Sequence, residues 1–365
     1  MQASDVSSTP QHPRSDFVLH VGSLSSMSAL HKAIADRLFE YNQLYVAGHR
    51  PQIRFDMTGI QSKKISMAAL TALLTTMDRF REFSNAPAGL DVRWNPEIFG
   101  FLDDIGFFKL GHERDLFTLD PEIMGGYTAN TTNPNTQLLY SAFADAWSTD
   151  QDELAQQKDA IRNQIKETLL MLCGGVFRPR RGARAIPNEL RDQILVTSAE
   201  LVVNAHLWGR SNAFLGLQRT SRGITVCVCD SGEGFLGSLR KKQKRKSWPN
   251  LSNHLQSLAL GCVVNDEDFG LRRAIDMVTR FEGRVEISSY TGEIVWRREL
   301  WNYWLTVATD PSRSHLSFEE KFSQMWEKFS TQIGSQNKHQ SGYCRVWTTP
   351  LRGSRVTFEM PIQDM

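Results

Sequence analysis

Hydrophobic positions in the first third of the chain switch between two periods. Leu30, Ile34, Leu38, Tyr41 and Tyr45 recur at helical spacing, which predicts a helix over Met27–Tyr45. A second helix is predicted over Met67–Phe83, rich in Ala, Leu and Met, with Ser66 as its N-cap. Strand-like runs occupy 16–22, 52–57 and 90–94. Pro96 suits the first turn of a short helix, where its missing N–H costs nothing, and that helix should end before Gly106. The alternation predicts a small α/β domain over residues 16–120. Residues 1–15 read as a disordered leader.

The pattern then loosens. Residues 121–150 are rich in Gly, Asn and Thr and read as a linker or long loop. A polar-then-apolar helix is expected over Asp150–Cys173, stopped by Gly174 and Gly175, followed by a flexible basic loop over Arg178–Arg184. Pro187 opens another helix. The chain turns near Arg222 and Gly223 and enters a strand, Ile224–Cys229. Helices are expected over Leu251–Leu260 and Leu271–Phe281, and strands over Arg284–Ser288, Val346–Thr348 and Arg355–Glu359. Residues 296–340 interrupt what should be a hairpin, and their Trp296, Trp301, Trp304 and Trp326 pack the insertion on itself or on the lid, or offer a partner surface.

Composition narrows the class. At 365 residues the chain suggests about two domains of ~150 residues. Hydrophobic residues are 41% and charged residues 22%, ordinary globular usage, and the net charge of +2 predicts no whole-chain attraction to nucleic acid. No apolar run approaches the ~18 residues of a membrane span. Cysteines 173, 227, 229, 262 and 344 form no zinc-like spacing and read as small buried hydrophobes, which fits a reducing cytoplasm.

Candidate chemistry gathers late in the chain. Glu200 and Asn204 lie one helical turn apart on one face, polar residues among Leu201, Val202, Val203 and Ala205. Asp230 ends a strand and is followed by Ser231-Gly232-Glu233-Gly234, glycines that suit close backbone approach. Further on stand Asp268-Phe269-Gly270-Leu271-Arg272 and Gly353-Ser354-Arg355-Val356-Thr357. In this order the four elements resemble the boxes of the GHKL ATPase superfamily. That group includes gyrase, the ninety-kilodalton heat-shock chaperones, mismatch-repair ATPases, histidine kinases and anti-sigma serine kinases. The third element has Asp-Phe-Gly-Leu-Arg where the family often has Gly-x-Gly-Leu-Gly.

The resemblance covers roughly 187–362 and implies a two-layer α/β sandwich with a mixed sheet, holding ATP between helices and sheet. Asp230, acceptor-only when ionised, would take the adenine amino hydrogens. Gly232 and Gly234 would leave room for the base and a moving loop. Asn204 would offer its amide oxygen to Mg²⁺, and Glu200 would act as base. Gly270 and Leu271 would open a helix whose amides meet phosphate, and the Ser354 hydroxyl would serve the adenine end. Two classes of function follow: a Mg²⁺-dependent ATPase or protein kinase, or a non-catalytic nucleotide-gated module read by a regulatory protein partner. His206 reads as a packing or hydrogen-bonding residue rather than a phospho-acceptor.

Arg240, Lys241, Lys242, Lys244, Arg245 and Lys246 put six basic residues in seven, where that pattern has its lid. They read as a solvated loop, or as contacts to phosphate, to an acidic partner or, last, to nucleic acid. The 150–173 helix resembles one that packs on such a domain or pairs with a second copy in a homodimer. Residues 16–120 resemble, more loosely, a STAS-type domain, through Phe55–Ile60, the helix behind Ser66 and Phe101–Phe107. The phospho-acceptor motif of that family is replaced by Gln61–Ser66, where Ser62 or Ser66 could be phosphorylated or simply form a turn and N-cap.

Overall fold

The computed structural model describes residues 16–60, 65–92, 95–119, 136–143, 147–172, 174–177, 186–221, 223–243, 253–264, 271–334 and 344–362. The fold is α/β with one parallel and one antiparallel sheet.

The parallel sheet holds β1 (Phe17–His20), β2 (Ile53–Asp56), β3 (Ala88–Asp91) and β4 (Phe117–Thr118), in that order. Its connections contain α1 (Met27–Val46), α2 (Met67–Ser84), α3 (Pro96–Asp104) and α4 (Phe107–Glu113). Parallel neighbours need such crossovers. Phe17, Leu19, Ile53 and Phe55 turn to the buried face, while His20 pairs with Asp56, and Arg54 with Asp16 and Asp91, on the more exposed one. Ser66 caps α2, its hydroxyl accepting from the Ala69 N–H at 3.5 Å, and Asn95 caps α3 ahead of Pro96. Ser62 lies outside the described residues.

The second sheet runs β5 (Thr136–Ser141), β6 (Ala213–Arg219), β7 (Gly223–Asp230), β9 (Cys344–Pro361), β8 (Arg284–Trp296). Every pairing is antiparallel. The expected mixed sheet is therefore corrected. Short reversals such as the β6–β7 turn return the chain at the same end of the sheet, whereas a parallel pair would need a crossover. The expected linker is also corrected in part, because β5 within it forms an edge strand. Thr136–Ser141 has the residues of a half-buried strand, but its partner β6 lies more than 70 residues away.

One face of this sheet carries α5 (Gln151–Leu172), α6 (Gly174–Phe177), α7 (Asn188–Asn204), α9 (His254–Val263) and α10 (Leu271–Arg280) over a single core. Helix α5 ends at Leu172, ahead of the expected stop at Gly174 and Gly175, and a separate helical turn, α6, begins at Gly174. Ile165 and Leu169 bury the apolar face of α5 against this core, leaving Leu170 and Met171 exposed. The β8–β9 connection contains α11 (Arg298–Thr309) and α12 (Phe318–Gly334). Trp296, Trp301 and Trp304 are buried in the same core, and Trp301 Nε1 donates to Asp276 of α10 at 3.1 Å. These indoles are interior packing and offer no partner surface.

The opposite face of the sheet is covered by the first half of the chain. Phe214, Cys227, Cys229 and Leu351 belong to the same core as α1 and α2. Thr71 of α2 lies 3.1 Å from the Cys227 sulfur, and a Cβ on Gly216 would come within 2.6 Å of the Thr71 hydroxyl. Asn212 donates to the buried Asp78 of α2 at 2.7 Å. The antiparallel sheet thus lies between two cores, a third layer beyond the expected two. This explains why β7 reads as a continuous apolar run rather than an alternating one.

Candidate functional site

Helix α7 carries Leu201 and Asn204 toward the sheet, and the backbone then widens into a π turn over Ala205–Gly209. Single π turns inside helices occur frequently at functional sites. Arg210 closes this one in a left-handed conformation, φ 52°. The widened turn sets Trp208 and Gly209 against the end of β7, where Asp230 pairs with Ser354 of β9. A third wall comes from α8 (Gly234–Gln243), whose Phe235 and Ser238 face the same space.

These elements enclose a cavity of about 50 Å³. Asn204, Asp230, Gly234, Leu271 and Ser354 all line it, so five of the anticipated residues converge there. Leu201, Ala205, Trp208, Val228, Phe235 and Val356 supply apolar walls. Trp208 was not foreseen, yet Leu201, Asn204, Ala205 and Trp208 stand at i, i+3, i+4 and i+7, the spacing of one helix face. The cavity is far below the ~300 Å³ at the small end of ligand pockets.

Asp230 is the electrostatic centre. Its side chain is buried, and Oδ1 accepts the Gly232 N–H at 2.8 Å. Burial pushes its carboxyl up to about 6, against the opposing pull of the Gly232 and Ser354 hydrogen bonds and the Arg355 charge. Arg355 is itself fully buried and donates to the carbonyls of Leu351 and Arg352 at 3.1 and 2.5 Å.

The glycines serve a different purpose from the expected one. A Cβ on Gly232 would lie 2.1 Å from the Gly209 carbonyl oxygen. Gly234 has φ +66°, and a Cβ there would meet Ser289 Oγ at 2.4 Å and the Tyr290 ring at 2.9 Å. The space that they leave is occupied by the protein's own backbone and side chains, because the π turn and the β8 bulge press against the loop. The Phe235 N–H adds a hydrogen bond to Ser289 Oγ at 3.2 Å.

Glu200 is not in the cavity lining. Arg162 of α5 holds it: Nη2 donates to Oε2 at 3.0 Å and Nε lies 2.6 Å from Oε1. Both of its oxygens face that guanidinium, so in this arrangement the expected base is engaged in an ion pair. His206 is buried, with Nε2 3.2 Å from the Ser141 carbonyl, and burial lowers its pKa.

Of the basic run, Arg240, Lys241 and Lys242 continue α8 rather than forming a loop. Arg240 and Lys241 are exposed, and Lys241 Nζ reaches Glu233 at 2.6 Å. Lys244, Arg245, Lys246 and Gly270 lie outside the described residues. Among the described residues no three His, Cys, Asp or Glu side chains gather as a metal site, and no helix is long and apolar enough to cross a membrane. The chain matches no protein-family model, no curated protein and no solved structure.

Proposed function

We propose that the Asp230 cavity receives the adenine of ATP and that the chain is a nucleotide-dependent regulatory switch of the GHKL kind. The observation that carries this reading is a buried carboxylate at a strand end, raised to about 6, lining a cavity with Asn204, Gly234, Leu271 and Ser354. A charge kept in a desolvated cleft at a cost to stability is a functional-site signature. An ionised carboxylate accepts hydrogen bonds only, so it suits the exocyclic amino group of adenine and opposes the carbonyl that guanine has there. The apolar walls suit the faces of a purine.

Asn204, at the end of α7 and on the cavity wall, would give one oxygen to Mg²⁺, with phosphate and water completing a shell of the kind this ion keeps. When bound, the ion would offset phosphate charge. Opening of α8 would expose the site, and closing would bury the base behind Phe235. That movement is what a regulatory partner would read.

The Arg162–Glu200 pair favours gating over turnover in the arrangement described. Both Glu200 oxygens are turned to the Arg162 guanidinium, and Glu200 does not line the cavity where the nucleotide would sit. Phosphoryl transfer would require α5 to release Glu200.

Calorimetric titration of wild type and Asp230→Asn with ATP and GTP, with Mg²⁺ present, tests the assignment. ATP should bind at least about tenfold more tightly than GTP, and Asp230→Asn should weaken ATP by about 1–3 kcal/mol, the cost of a buried polar mismatch. Equal affinity for the two nucleotides, or for wild type and variant, refutes it.

A further inference from the structure

A second and much larger cavity, about 510 Å³, lies where the two halves of the chain meet. Its walls come from α1, α2, Ser231 and the bulged middle of the β8–β9 pair. Both its size and its place between packed units are those of small-molecule sites. Leu38, Tyr45, Phe80, Phe83 and Leu351 give it an apolar and largely aromatic lining. Val46 at the C-terminal end of α1 is 86% exposed, and Phe83 is 41% exposed, so the apolar surface continues outward.

Two cations face this space, Arg79 of α2 and Arg352 of β9. The Arg79 guanidinium lies 3.8 Å from the centre of the Phe83 ring, and its Nη1 donates to Glu82 at 3.0 Å. Its Nε is buried and donates to no group among the described residues. Both arginines line the same cavity, and burial first, then the Arg352 charge, lower the Arg79 pKa. Arg352 is exposed and makes a long hydrogen bond, 3.3 Å, to the Gly232 carbonyl. Glu82 offsets one of the two charges, which leaves the cavity with a net positive charge. A pair of guanidinium groups beside an orphaned N–H favours an anion, and a planar anion best matches their geometry.

We propose that this cavity binds a small aromatic carboxylate, with the carboxylate between Arg79 and Arg352 and the ring against Tyr45, Phe80 and Phe83. The aromatic faces match the ring, and the arginines confer preference for charge over a neutral analogue. Ser231 and Tyr290 also stand on its wall. Tyr290 is held at a left-handed φ of 53° under Gly234, with the His254 ring stacked 4.6 Å away. The site thus touches the back of the 231–234 loop, on the opposite face of the sheet from the Asp230 cavity. It does not depend on nucleotide binding.

The full chain should be titrated with 2-naphthoate and with 2-naphthamide, its neutral counterpart, by calorimetry and ligand-observed NMR. Naphthoate should bind at least about tenfold more tightly than the amide. Arg352→Gln and Val46→Glu, both at exposed positions where substitution seldom disturbs the fold, should each weaken naphthoate at least about fivefold. Asp230→Asn should leave it unchanged, which separates this site from the nucleotide cavity. Absence of naphthoate binding at millimolar concentration, equal affinity for the two probes, or indifference to both exposed variants overturns the proposal.

Discussion

Replacing Arg162 by Ala removes the group that holds Glu200. Both Glu200 oxygens face the guanidinium, at 3.0 and 2.6 Å, and the two side chains are 23% and 21% exposed. Breaking a fully buried pair costs about 3–5 kcal/mol, and an exposed pair contributes about 0.2–1 kcal/mol. This pair lies between those limits, since water reaches a fifth of each side chain, so Arg162→Ala should destabilise by about 1–3 kcal/mol. Arg162 also meets Asp159 at 2.8 Å, but that carboxylate is largely exposed and adds little. The measurement is a double-mutant cycle of Arg162→Ala and Glu200→Ala followed by urea unfolding. A coupling energy of about 1–2 kcal/mol is expected, because each single variant strands the other charge while the double variant strands neither. A coupling below about 0.3 kcal/mol would show that the contact is not energetically real. The same variants report on chemistry. If Glu200 is a base held in check, Arg162→Ala raises ATP turnover and the double variant does not. Turnover identical in all four proteins refutes any catalytic role for Glu200.

Asp230 predicts two opposed pH effects. Its carboxyl is raised from 3.8 to about 6, so its contribution to stability is fully present below pH 3.8 and is lost as the pH rises through 6. At about 1.4 kcal/mol for each pH unit this amounts to about 3 kcal/mol. Asp230→Asn should therefore gain on wild type by up to about 3 kcal/mol between pH 4 and 7.5; parallel stability profiles contradict the burial argument. ATP affinity should instead fall about tenfold from pH 7 to pH 5, as the acceptor is protonated; a flat profile in calorimetry removes Asp230 from the site. Gly234→Ala should cost at least about 2 kcal/mol, since φ +66° strains any Cβ and contacts under 3 Å force the Ser289 hydroxyl and the Tyr290 ring to shift; near-native thermal stability contradicts this. Replacing Arg240, Lys241, Lys242, Lys244, Arg245 and Lys246 by Ser should change stability by less than about 1 kcal/mol. It should weaken ATP or a protein partner if the run faces an anion, and salt-dependent nucleic-acid binding is the third readout; no change in any of them leaves only a solvated segment.

The sequence by itself determined the local order of this protein. Periodicity over Met27–Tyr45 and Met67–Phe83, the Ser66 cap and the apolar run before Asp230 each depend on residues a few positions apart, and each yielded its element. Five of the anticipated site residues, drawn from short elements whose order resembles the GHKL boxes, line one cavity: Asn204 at the end of α7, Asp230 at the end of β7, Gly234 at the start of α8, Leu271 at the start of α10 and Ser354 within β9. Tertiary structure decided what those residues can do. Arg162 lies 38 positions before Glu200, and only the packing of α5 on α7 brings them together. The π turn after Asn204 widens the end of α7, and no local signal distinguishes it from an ordinary helix end. Strand β5 owes its pairing to a partner more than 70 residues away, and the covering of the sheet's second face by α2 depends on a glycine, Gly216, whose missing Cβ makes room for Thr71. Contacts of that range are fixed by shape and burial across the whole chain, so the same carboxylate reads as a free base in the sequence and as half of an ion pair in the fold.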